Sequence, residues 1–235
     1  MLFLLPPSET KAKGGGALTI DQVALTFGGL NATRDLVRNA AGLDSVLTAP
    51  TMPALDRYTG TLYGAIHGRG LKGTPTQHNQ LSTLERAGAK TSVLVQSALF
   101  GLIPATDLIP EYKLSPTKNL GGVNLKKVWG EAHLAIWPRL QGLVIDLRSK
   151  SYADLAPIPS SVEHYTVAVF VEREDGSLEQ LNHFNKKAKG QLVRAALTAK
   201  KAPETIKDLQ KCAAAAGLKL VVKGSELTLI TTSAT

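Results

Sequence analysis

Cysteine is nearly absent: Cys212 stands alone among 235 residues, which excludes a disulfide framework and a cysteine-based metal site. Aromatic residues are scarce at 5%, with Trp129 and Trp137 the only tryptophans, which argues against a single-strand reader built on stacked bases. No apolar run approaches the roughly 20 residues that a membrane span requires. The start, Met1 to Leu5, is apolar but meets Pro6-Pro7 too soon for a signal h-region, so the chain reads as cytoplasmic with no membrane contact. His67, His78, His133, His164 and His183 are widely spaced, with no His-x-x-x-His and no carboxylate at metal spacing. Neither a P-loop nor a Gly-x-Ser-x-Gly nucleophile turn occurs. No metal and no cofactor is expected from these patterns.

Acidic residues are also missing late in the chain. Residues 1–183 hold 17 Lys/Arg against 16 Asp/Glu, whereas residues 184–235 hold 10 against 3, so +7 of the net +8 sits in the last fifth. The densest run, Phe184 to Gly190, contains Lys186, Lys187 and Lys189 and continues to Arg194, Lys200 and Lys201. A concentrated cationic surface attracts polyanions, so a phosphate backbone or a nucleotide is the partner to consider. The plainer reading is a solvated helix face that aids solubility.

Hydrophobic content of 43% and charged content of 20% fit a globular chain. Residues 2–5 read as a buried strand and Ser8–Gly16 as a polar loop. Residues 20–43 show helical spacing broken at Gly28-Gly29, with Asn31 or Thr33 as a cap. A helix is expected over about 78–88, a strand over 92–96, loops over 102–123, and a helix over 125–139. Strands follow at 143–147 and 165–171, the latter turning through Asp175-Gly176 into 178–184. Helices over 186–199 and 203–216 and a hairpin at 218–230 complete the pattern, with Pro203 suited to a first turn. Strands and helices alternate without a linker. The expectation is one mixed α/β (α+β) domain spanning 1–235, with a central mixed β-sheet flanked by helices.

Three polar segments could carry chemistry. Ser8, Thr10 and Lys11, with bare glycine amides at 14–16, follow the first strand at the end where open sheets place ligands. Asp146-Leu147-Arg148-Ser149-Lys150-Ser151-Tyr152 follows another strong strand, where Asp146 could orient Arg148 or act as a base. Tyr58-Thr59-Gly60 adds hydroxyls, and Gly190 in the basic run would let a backbone or a ligand approach closely. Each segment taken alone is also readable as an ordinary surface turn.

In combination, the pieces resemble the peroxide stress protein YaaA family. The resemblance rests on Leu4-Leu5-Pro6-Pro7-Ser8-Glu9-Thr10-Lys11, Tyr58-Thr59-Gly60, Ser97 to Ile103, Asp107 to Leu114, Trp129-Gly130, Val144 to Tyr152, and Lys186-Lys187-Ala188-Lys189-Gly190. It implies a cytoplasmic bacterial protein of the hydrogen-peroxide response that limits free iron and DNA damage. It implies a positively charged cleft, double-stranded DNA as partner, and a helix-hairpin-helix-like element near 20–45. Carried over, the cleft would hold phosphate with Lys11, Arg148, Lys186, Lys187, Lys189 and Arg194. Ser8, Thr10, Tyr58, Thr59, Ser149 and Tyr152 would support it. The alternative is an enzyme acting on a nucleobase, nucleotide or damaged DNA in the same cleft, with Asp146 or Ser8 as candidate catalytic groups. A monomer is the favoured state.

Overall fold

The computed structural model describes residues 1–69, 81–181 and 185–231. His78, His183, Phe184, the start of the helix expected from 78, and the end of the strand expected to reach 184 lie outside them. Among the described residues ten strands are present: β1 (Leu2–Leu5), β2 (Thr51–Pro53), β3 (Val93–Ser97), β4 (Gly101–Pro104), β5 (Leu108–Pro110), β6 (Val144–Asp146), β7 (His164–Glu172), β8 (Leu178–Gln180), β9 (Lys219–Lys223) and β10 (Glu226–Thr231). The helices are α1 (Asn31–Ala41), α2 (Ala54–Arg57), α3 (Thr61–Ile66), α4 (Thr83–Ser92), α5 (Leu125–His133), α6 (Lys150–Ala153), α7 (Asn185–Leu197) and α8 (Ile206–Ala215). Among the described residues no helix is long and apolar enough to cross a membrane.

The main sheet runs β4-β3-β1-β6-β7-β10-β9, with β8 paired to β7. Its centre is parallel: β1 lies between β3 and β6, and β7 between β6 and β10, while β4, β8 and β9 are antiparallel additions. A parallel strand covered on both faces must be apolar at every position, and Leu2 to Leu5 are all buried. The expected mixed α/β architecture with a central mixed sheet and flanking helices is therefore the one present. Register then fixes where polarity begins. Leu4 pairs with Leu94 and Asp146, and Leu5 with Val95, so Pro6–Lys11, Ser97 and Asp146–Arg148 leave the sheet at one level.

Several elements differ from the sequence expectation. Residues 20–45 contain one α-helix, α1, with 3-10 turns at 20–22, 28–30 and 44–47, so two helices joined by a hairpin are not formed there. Leu30, not Asn31 or Thr33, precedes α1, and the Asn31 side chain instead accepts from Arg34. The fourth helix starts at a capping box formed by Ser82 and Glu85 and continues through Gly88 to Ser92. Pro203 lies before α8, whose cap is Thr205 with Asp208.

Helices α3 and α7 run side by side in the same sense. A Cβ added at Gly190 would sit 2.2 Å from the Leu62 carbonyl oxygen and 2.7 Å from the Ala65 Cβ. Only a residue without a side chain permits this approach. In α5, the His133 imidazole lies between Trp129 and Trp137, with ring centroids 5.6 and 5.4 Å away, and its Nδ1 bonds the Trp129 carbonyl at 2.7 Å. Burial, with Arg148 and Arg34 nearby, lowers its pKa from 6.5 to about 4.

Gly190→Ala is expected to destabilise the protein by about 1–3 kcal/mol through overpacking, read as a lower urea midpoint. His133 gives a pH signature. Between 6.5 and about 4 the unfolded chain is protonated at this residue while the folded one stays neutral. Stability is thus lost as pH falls through that window, by on the order of 3 kcal/mol in total. Urea titrations across it should show a His133→Phe variant with a flatter dependence than the parent.

Candidate functional site

The parallel strands β1 and β6 each hand the chain to a polar turn. The longest such turn, residues 6–11 after β1, is held in place by Arg57 at the end of α2. Arg57 is fully buried, and its guanidinium donates to the carbonyls of Ala12, Gly14 (2.9 Å), Pro50 (2.8 Å) and Ile109 (3.1 Å). Four carbonyls satisfy one planar donor fork, which offsets the cost of burying its charge. The turn is further tied by a backbone bridge between Lys11 and Tyr58, and by Thr59 Oγ1 donating to Thr10 Oγ1 at 2.9 Å.

The result is a cavity of about 200 Å³ lined by the turn (Pro6 to Thr10), by Thr59 to Tyr63, and by Lys186. Ser8 Oγ and Thr10 Oγ1 are 3.2 Å apart on its wall. Gly60 adopts φ +92°, and a Cβ there would come within 2.9 Å of Ser8 Oγ. Residues 8, 10, 59 and 186, from three separate sequence segments, thus converge. The Lys186 position follows from the α3–α7 contact: Gly190 meets Leu62, so Lys186, one turn earlier on the same face, meets the start of α3.

The other expected phosphate ligands are placed differently. Arg148 is buried and forms a bidentate pair with Asp146, Nε to Oδ1 at 2.9 Å and Nη2 to Oδ2 at 2.8 Å, while Nη1 donates to the Ala156 carbonyl at 2.9 Å. Both carboxylate oxygens of Asp146 are therefore engaged. Lys189 is buried and donates to the Leu147 carbonyl at 3.1 Å, because it shares a helical stripe with Leu192, Val193 and Ala196. Burial lowers its pKa, and Asp146 opposes the shift. Arg194 donates to the Ile66 carbonyl at 2.9 Å, at the C-terminal end of α3 where free carbonyls and the helix dipole favour a cation. Lys187 is half-buried beside Lys186, and Ser149 lies exposed before α6. Lys200, Lys201, Lys207, Lys211, Lys219 and Lys223 are exposed on α8, the β9 edge and the preceding loop.

Sequence reasoning named Tyr58 and Tyr152 as supporting residues but not their partners Tyr63, Tyr112 and Ser97 in the interior of the site. The Tyr58 and Tyr63 rings pack at a tilt of 40° with centroids 5.2 Å apart, and Tyr58 Oη lies 2.7 Å from Tyr112 Oη, which lies 2.8 Å from Ser97 Oγ. Tyr63 Oη donates to the Pro6 carbonyl at 2.9 Å. Burial raises the pKa of Tyr58, Tyr63, Tyr112 (to about 12) and Tyr152, so all four stay neutral phenols. The Lys11 ammonium sits 4.4 Å above the Tyr112 ring and donates to the carbonyls of Ser8 (3.0 Å) and Glu9 (3.3 Å). The available signal was that Tyr58 and Tyr112 stand just past a short helix and a strand and that Tyr152 lies in the short helix after β6, but their convergence depends on sheet order.

Arg148→Met should leave Asp146 buried and unpaired and cost about 3–5 kcal/mol in thermal or urea unfolding. The double variant Asp146→Leu/Arg148→Met is expected to recover most of that stability.

The family model described as "Peroxide stress protein YaaA" matches residues 31–221. A UPF0246 protein of Corynebacterium glutamicum is 36% identical, covering 93% of this chain and 94% of the relative. One from Corynebacterium efficiens is 33% identical over 94% of this chain and 95% of its own length, and one from Streptomyces coelicolor is 33% identical over 87% and 85%. The family match spans α3 and α7, which build one side of the cavity, and the chain belongs to the peroxide stress protein YaaA family, UPF0246.

Proposed function

We propose that this protein serves the peroxide stress response by binding DNA through phosphates held at the Ser8–Thr59–Lys186 cavity, limiting oxidative damage there. The observation that carries the reading is the placement of Lys186 beside the hydroxyls of Ser8, Thr10 and Thr59. Electrostatics adds to it. The first turn of α7 holds Lys186 and Lys187 and no acidic residue, whereas α4 and α8 carry Glu85 and Asp208 at the same place. Cations at the positive end of a helix dipole are unfavourable by about 0.3–1 kcal/mol each, and a bound anion offsets that cost. Among the described residues no group of His, Cys, Asp and Glu could hold iron, and His67, His133 and His164 each bond a backbone carbonyl. An effect on free iron is then indirect.

A second reading, an enzyme acting on a nucleobase, nucleotide or damaged DNA, is favoured by the size of the cavity. At about 200 Å³ it admits a single small group rather than a duplex. In that case Ser8 is the exposed candidate, since Asp146 is held by Arg148.

Lys186→Glu with Lys187→Glu should weaken duplex binding and flatten the log K against log[salt] line by about 0.9 for each phosphate no longer neutralised. Lys207→Glu with Lys219→Glu, equal in charge change but on other surfaces, should leave the slope nearly unchanged. Fluorescence anisotropy across a salt series decides. Equal weakening in both variants would reduce the interaction to diffuse charge and sink the cavity reading.

A further inference from the structure

We propose that Lys11 is a nucleophilic amine that condenses with the aldehyde of a sugar phosphate whose phosphate occupies the adjoining Ser8–Lys186 cavity, forming an imine. The inference rests on the reading of that cavity as a phosphate site. Its own basis is the setting of the Lys11 side chain. The Nζ lies over the Tyr112 face at 4.4 Å and 5.7 Å from the Tyr58 ring, and two carbonyls, of Ser8 and Glu9, accept from it. These contacts fix the position of the Nζ beside the turn. Among the described residues no carboxylate lies within ion-pair distance of it, so no salt bridge must break before it reacts. Ser8, which receives the shorter of these bonds, also lines the cavity. Lys11 is not itself in the cavity lining, but Ser8 and Glu9, whose carbonyls hold its Nζ, are, so the amine and the phosphate cavity share one turn.

The charged groups around Lys11 favour this role. Glu111 and Glu9 oppose loss of its proton and Arg57 assists it, but desolvation dominates, and the pKa falls from 10.5 to about 8. At neutral pH the neutral fraction is then roughly 10²-fold above that of an ordinary lysine. Tyr58 and Tyr112 stay protonated, so they contribute no competing anion.

The step balances without an external oxidant. The neutral Nζ adds to the aldehyde carbon, and one amine proton passes to the carbonyl oxygen to give a carbinolamine. The hydroxyl then leaves with a proton as water, and the nitrogen lone pair closes the C=N bond. The carbon source is either a free pentose 5-phosphate or the ring-opened sugar of an abasic site in DNA.

Borohydride trapping tests this. Hydride reduces the imine to a secondary amine, and the protein gains the mass of the aldehyde less one oxygen. The probes are pentose 5-phosphate, unphosphorylated pentose, and a duplex with one abasic site. Expected is an adduct mapped by peptide mass spectrometry to Lys11, rising as pH passes through about 8. Lys11→Arg should reduce it by roughly 10²-fold. Lys186→Ala should lower trapping of the two phosphate-bearing probes and spare the free pentose. If Lys186→Ala spares all three while Lys11 still traps, the cavity reading fails and the amine chemistry stands. An adduct with pentose phosphate but not with abasic duplex supports the amine and counts against DNA. No adduct at Lys11 in the parent protein, or adducts spread evenly over surface lysines, overturns the inference even where intact duplex still binds. Mapping on the parent protein gives this answer whether or not the variants fold.

Discussion

The contact between Gly190 and the Leu62 carbonyl sets the rest of the site. Two helices can lie this close only where one presents bare backbone. Once they do, the i, i+4, i+8 positions of α7 are placed along α3: Lys186 at its start, Gly190 at its middle, Arg194 at its end. One end of the pair becomes a cavity wall, and the other satisfies a helix C-terminus. The same lysine-rich helix thereby does structural and recognition work in consecutive turns.

Burial sorts the cations. Arg57, Arg148, Lys189 and Arg194 turn inward and are met by carbonyls, with Asp146 added for Arg148. A guanidinium or ammonium withdrawn from water needs such partners, and loop and helix-end carbonyls supply them readily because they are otherwise unpaired. These residues hold loops together: Arg57 the turn after β1, Arg148 the turn after β6, Arg194 the end of α3. Lys186 stays in contact with solvent at a cavity mouth, so its charge remains available to an anion.

The interior of the site is phenolic. Four tyrosines and Ser97 gather at the ends of β1, β3 and β6, with Lys11 above them. Low polarity there keeps the phenols protonated and lowers the lysine toward neutrality, two effects of one cause. A cationic cavity thus adjoins a packed cluster of neutral phenols across a single turn.

The fold class was legible because apolar runs such as Leu2–Leu5 and Val144-Ile145 must be buried strands, and because Asp-Gly and Lys-Gly-Ser mark hairpins. The polar turns after those strands were legible for the same reason, as ends of buried segments. The role of each cation was not. Lys186 and Lys189 are three residues apart in one basic run, yet one lines a cavity and the other is buried, since helical phase and the Gly190 contact are tertiary facts. The pairing of Tyr58 with Tyr112 and the docking of Lys11 between them were equally hidden, because strand order brings together residues 50 to 100 positions apart. Local pattern determined which segments would be strands, helices and turns. Only three-dimensional packing decided which charges would meet water, because desolvation depends on neighbours that sequence distance does not reveal.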